Sequence, residues 1–186
     1  NGEPEAVCSG LLRVFPASTV AIKFEWDSEW KSLVISGAGE CMMDEIRANV
    51  VTKGAINLVA NKIEGRSESE EESRQTIDEV IGDAHSSGQS IQSIRLVSGC
   101  YLNPGHYMAS HATAGGDSEQ YIDTVHGNAI ADGYAQQDIK EVLKKAISWD
   151  NGEQDINVVH GTTSRNHQST QNIGQIYGEE ECMRLM

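Results

Sequence analysis

Apolar residues come in short runs broken by Gly, Ser, Asn and Asp, and two periods compete along the chain. Alternation of Val20, Ile22 and Phe24 with Ala21, Lys23 and Glu25 predicts a strand over 19–26 with one wet face. Short apolar runs predict further strands over 11–15, 32–36, 91–98 and 155–159. Helical spacing is read elsewhere. Met43, Ile46, Val50, Leu58 and Ile63 predict a helix over 40–62, and Ile77, Val80, Ile81 and Ala84 one that ends near Ser87-Gly88. Ile122, Val125 and Ile130 predict a helix; Ile139, Val142, Leu143 and Ile147 predict its continuation after Gly133. A last helix is expected through Ile173, Ile176 and Tyr177, with Thr162 or Ser164 as its cap. Residues 64–73, charged and serine-rich, read as an exposed linker. No internal repeat is evident. The expectation is one α/β domain over 1–186, with a mixed or mostly parallel sheet and helices on both faces.

Charge narrows the partners. Asp and Glu number 28 against 14 Lys and Arg, for a formal net charge of −14. That balance argues against nucleic acid and anionic membrane surfaces. No run of eighteen apolar residues predicts a membrane span, and no signal peptide is read, so a cytoplasmic protein is expected. Cys8, Cys41, Cys100 and Cys182 form no Cys-x-x-Cys pair, which argues against a zinc ribbon or a thioredoxin-type site. Free buried thiols are expected, two disulfides being the alternative. His106 and His111 on a glycine-bearing loop, with His126 beyond, match no closed metal motif, so no metal and no cofactor is assigned. Gly37-Ala38-Gly39 lacks the third glycine of a dinucleotide fingerprint, position 42 being Met42.

Two residues are candidates for catalysis. Cys41 lies at the start of the predicted 40–62 helix, where a helix N-terminus lowers a thiol pKa, although Glu40 and Asp44 oppose this. His160 follows the predicted strand 155–159 and precedes Gly161, the edge at which α/β sheets place their chemistry.

Gly99-Cys100-Tyr101-Leu102-Asn103, then a helix, then Val158-Val159-His160-Gly161-Thr162-Thr163-Ser164, resembles the C-terminal half of a β-ketoacyl synthase of the thiolase fold. The resemblance covers about half the chain. It implies a thiolase-like acyltransferase of fatty-acid or polyketide synthesis, in which acyl and malonyl thioesters condense with loss of carbon dioxide. His160 would then donate a hydrogen bond to the enolate oxygen. An acyl-thioester or an acyl carrier protein would be the partner, and the chain would be a homo-oligomer or part of a larger complex. The family's second histidine lies well downstream of the first, and its Cys-Ser-Ser elbow is replaced here by Cys41-Met42-Met43. A fragment or an inactive relative is therefore implied. A non-catalytic scaffold subunit of a larger assembly is the alternative. The His-Gly-Thr run is also similar to the oxyanion loop of α/β-hydrolases and to the NAD-gripping run of ADP-ribosyltransferases, but the chain has no Gly-x-Ser-x-Gly elbow and few residues after the run.

Overall fold

In the computed structural model the described residues are 8–9, 13–17, 19–103, 106–108, 110–166 and 168–178. Among them there is no helix, and so none long and apolar enough to cross a membrane. The chain enters through three short strands, β1 (Cys8–Ser9), β2 (Arg13–Pro16) and β3 (Lys23–Asp27). Two long ones follow, β4 (Ser32–Ile46) and β5 (Asn49–Glu64). Beyond them short and long strands alternate: β6 (Ser67–Ser69), β7 (Arg74–Ile81), β8 (Ala84–Ser86) and β9 (Ile91–Ser98). A separate hairpin, β10 (Cys100–Asn103) and β11 (His106–Met108), interrupts the series. It resumes with β12 (His111–Ala114), β13 (Glu119–Val125), β14 (Asn128–Ala131), β15 (Gln136–Val142), β16 (Lys145–Ser148), β17 (Glu153–Val159), β18 (Thr162–Arg165) and β19 (Thr170–Ile176).

Each strand pairs in parallel with the strand one coil away, short with short and long with long, so the chain winds into a parallel β-solenoid of about eight coils. One coil takes 17 residues, as Gln137 over Gln120 and Gln154 over Gln137 show. Between Gln92 and Gln120 the separation is 28, because eleven residues carrying the β10–β11 hairpin are inserted at one corner. The register resumes unchanged beyond it, β9 pairing with β13 from Ile91↔Glu119 to Val97↔Val125.

The sequence builds this interior with a motif, Gln-x-Ile-x-x-Val. It stands at 75–80, 92–97, 120–125, 137–142 and 154–159, and the next coil has Gln171, Ile173 and Ile176. Inward positions alternate along the first half of each long strand and then slip by one residue, giving the burial pattern of β17: Gln154, Ile156 and Val159 in, Asn157 and Val158 out. Pairing likewise skips Lys140 and Asn157, so every long strand kinks at that point. Ile77, Ile94, Ile122, Ile139 and Ile156 stack as one buried column and Val80, Val97, Val125, Val142 and Val159 as another. Each such side chain removed from water contributes about 1.5–3 kcal/mol.

The glutamines form a third column. Each side-chain Nε2 donates to the Oε1 of the glutamine one coil earlier, at 2.8, 2.8, 2.7, 2.7 and 2.7 Å from Gln92 to Gln171. The same nitrogens reach across the interior to carbonyls of the short strands, for example Gln137 to Ala112 and Gln154 to Ala129. Buried amides are tolerated because both ends are satisfied. Serines add two smaller columns: Ser69 donates to Ser90, Ser73 to the carbonyl of Thr52, and Ser86 bonds Ser118.

Turns repeat too. At one corner every coil from Gly37 on places a residue in the left-handed region: Gly54, Glu71, Gly88, Gly116, Gly133 and Asp150 follow in register. Glycine adopts that conformation without steric cost, which accounts for its frequency there. The first coil is covered rather than open. β3, β2 and β1 fold back antiparallel along β4, at 32–36, 39–42 and 45–46 respectively. Such a cap blocks edge-to-edge pairing of an exposed strand.

The expected α/β fold, thiolase-like with helices on both faces, is thus replaced by a helix-free solenoid. Strands expected over 32–36, 91–98 and 155–159 are present within β4, β9 and β17; the 40–62 helix is instead parts of β4 and β5. The supposed exposed linker 64–73 contributes β6, and its Ser67, Ser69 and Ser73 are fully buried.

Candidate functional site

Cys41 and His160 do not meet. Cys41 points into the first coil, at the position that glutamine occupies in later coils, stacked in register on Leu58. It sits on a strand, so the helix N-terminus expected to activate it is missing. Burial, with the Glu40 charge second, pushes its thiol up to about 12, which keeps it protonated. It is a free thiol. Cys8, Cys100 and Cys182 carry no described side chain.

His160 lies six coils further on, about 29 Å away at roughly 4.8 Å per coil. It follows β17 as expected, but at a solvent-facing corner. Its Nε2 is 2.8 Å from Glu141 Oε1, and its ring stacks on Tyr177 at 5.2 Å between centroids. The His-Gly pair is the corner of the repeat: Glu64-Gly65, Ile81-Gly82, His126-Gly127 and Tyr177-Gly178 occupy the same place. Gly161 is there because a Cβ would stand 1.9 Å from the carbonyl oxygen of Lys144 in the coil before. His-Gly-Thr-Thr-Ser is therefore strand, corner and next short strand.

The other motifs resolve similarly. Gly37 and Gly39 lie inside β4, where a Cβ would meet the carbonyl oxygens of Ala21 and Phe15 of the cap at 2.2 and 2.4 Å. They admit the antiparallel strands and cradle no phosphate. His111 Nδ1 is 3.2 Å from Asn128 Nδ2. His106 lies in the hairpin, and its side chain is outside the described residues. Among the described residues no group of three or more His, Cys, Asp or Glu is placed to hold a metal.

What the fold does assemble is a groove on the outer face of the long-strand sheet, beside the kink. It encloses about 570 Å³ and crosses five coils, from Val59–Asn61 to Asp138 and Lys140. Its floor is Ala60, Ile77, Ile94 and Ile122. One wall carries Thr76, Ser93, Tyr121 and Asp138. The other carries Asn61, Asp78, Arg95, Asp123 and Lys140. On that second wall successive coils pair opposite charges. Arg95 grips Asp78 through both guanidinium nitrogens, Nη2–Oδ2 being 3.0 Å, and Lys140 Nζ lies 2.6 Å from Asp123 Oδ1. The Arg95 hydrogen bond holds the Asp78 carboxyl below the usual range. Tyr121, 46% exposed, donates from its hydroxyl to Glu119 Oε2 at 2.8 Å, and that bond pushes the phenol up. A second hollow of about 300 Å³ shares Tyr121 and Asp138 and continues to Asp155 and Asn172.

None of these groove residues is singled out by the sequence reading. The missed signal is the Gln-x-Ile-x-x-Val repeat, which fixes the outward rows two residues apart once its register is seen. Comparison with family models, curated proteins and solved structures finds no match for the chain.

Proposed function

We propose that this chain is a rigid, non-catalytic structural element, a scaffold subunit of a larger assembly. The supporting observation is that hydrogen-bonded and apolar columns fill the interior from end to end. The two residues considered for catalysis lie at separate places on that stack, one sealed inside and one on the outer surface. Acyl transfer needs a thiolate beside an oxyanion donor within hydrogen-bond reach. Nucleophile and donor about 29 Å apart on a stiff stack do not satisfy it. Trp30, Tyr134 and Tyr177, each more than 60% exposed, offer apolar contact for neighbours in an assembly.

Two measurements test this reading. Incubation of the protein with acyl- and malonyl-thioesters is expected to give no carbon dioxide and no mass increment on Cys41. Acylated Cys41, or carbon dioxide release lost in His160→Ala, overturns the non-catalytic half. In a native extract the chain is expected to sediment with other material; sedimentation as a free monomer overturns the assembly half.

A further inference from the structure

We propose that the groove beside the kink binds a neutral, extended oligosaccharide lying along the solenoid axis, with Tyr121 as its stacking platform. This site is independent of whether the chain serves as a scaffold. Four observations favour that ligand chemistry.

The first is length and period. Five coils crossed at roughly 4.8 Å each give a groove about 19 Å long, with one set of polar side chains per coil. That spacing is close to the length of one pyranose unit in an extended glycan. An extended peptide advances about 3.3 Å per residue and falls out of phase within a few residues.

The second is the backbone. The groove lies on a sheet face, and the strands beneath it are paired on both sides, β7 with β5 and β9, β13 with β9 and β15. A peptide recognised by strand addition needs a free edge, and this face has none.

The third is charge. Asp78 with Arg95, and Asp123 with Lys140, neutralise each other along one wall while presenting both donors and acceptors. Vicinal hydroxyls are matched by such planar or paired groups. Phosphate-bearing chains are repelled by the net charge of −14.

The fourth is the aromatic ring. Tyr121 is held by Glu119 and stands beside the apolar floor of Ile94 and Ile122. A sugar ring has an apolar face of C–H groups for such a ring and polar edges for the walls.

The test titrates cellohexaose, xylohexaose, maltohexaose and chitohexaose into the intact chain, by calorimetry and by intrinsic fluorescence, at low and high salt. At least one is expected to bind with an affinity unchanged by salt, since no net charge is neutralised. Tyr121→Ala is expected to weaken it by about tenfold or more, whereas Tyr121→Phe, which keeps the ring, retains it. Tyr134→Ala, at an exposed corner outside the groove, is expected to bind as the unmodified chain does. Circular dichroism confirms that each variant is folded. The proposal is overturned if none of the four sugars binds, or if Tyr121→Ala binds as tightly as the unmodified chain. Binding of an oligolysine probe in their place, lost at high salt, would mark the face as an acidic surface and equally overturn it.

Discussion

Replacing Gln137 by Leu cuts the amide column in its middle. Gln137 is 2% exposed; it donates to Gln120 Oε1 and to the Ala112 carbonyl, and accepts from Gln154. Leucine leaves Gln120 Oε1 and one N–H of Gln154 buried without partners. Each orphan costs about 1–3 kcal/mol, and the added apolar burial returns about 1–2, so a net loss of about 2–4 kcal/mol is expected. Gln171→Leu, at the end of the column and only partly buried, orphans Gln154 Oε1 alone and is expected to cost about 1–2 kcal/mol. Gln120→Leu combined with Gln137→Leu moves the two broken ends to Gln92 and Gln154 without adding to their number within the column. The double variant should cost less than the sum of its parts, with a coupling of about 1–3 kcal/mol. Urea unfolding followed by circular dichroism measures all four proteins, and amide exchange of Gln136–Val142 detects partial opening, to which repeat folds are prone. Equal costs at 137 and 171, or strict additivity of 120 and 137, would refute the ladder account.

Three further outcomes are expected. Gly161→Ala places a Cβ 1.9 Å from the Lys144 oxygen and should destabilise by about 1–3 kcal/mol, while His160→Ala next to it, losing one exposed contact to Glu141, should cost about 1 kcal/mol or less. Thermal melts of the two variants read the contrast. Burial depresses the His85 pKa below 6.5; the opposing Glu68 charge comes next, followed by Arg66, which lowers it, and Glu70, which raises it. As pH falls the unfolded chain takes this proton first, so His85's contribution is complete above the unfolded pKa and lost as pH drops below about 6.5. His85→Gln should flatten the stability profile between about pH 7 and 5 in urea titrations at stepped pH. Cys41, its thiol raised to about 12, should resist iodoacetamide in the native protein at pH 8 and react after urea unfolding, as peptide mapping reports; native labelling would contradict its burial.

Strands were legible where the chain is locally apolar, as at Ile91–Ser98 and Glu153–Val159. Helices were misread for a geometric reason. The kink in each long strand moves the inward positions from a spacing of two to three, and the corner carries the count to the next short strand. Ile77, Val80 and Ala84 thus face the core at i, i+3 and i+7, as do Ile122, Val125 and Ala129, and Ile139, Val142 and Ala146. A bent strand and a corner imitate a helical stripe. The serines of 64–73 looked like linker because isolated hydroxyls are polar; stacked coil on coil they satisfy one another inside. The eleven-residue insertion between Gln92 and Gln120 breaks the 17-residue period mid-chain and hides the repeat. His160 drew notice through a short run that the corner geometry explains, whereas the groove comes from residues brought side by side only by winding.

The stacked glutamines also give the protein an electrical direction. Every side-chain N–H in the column points to the preceding coil and every C=O to the following one, from Gln75 to Gln171. Strand dipoles in a sheet largely cancel, but these amides add head to tail, as peptide units do along a helix axis. The rod accordingly carries partial positive charge toward its covered beginning and partial negative charge at Gln171, so its two tips differ in the sign of ion or side chain they attract.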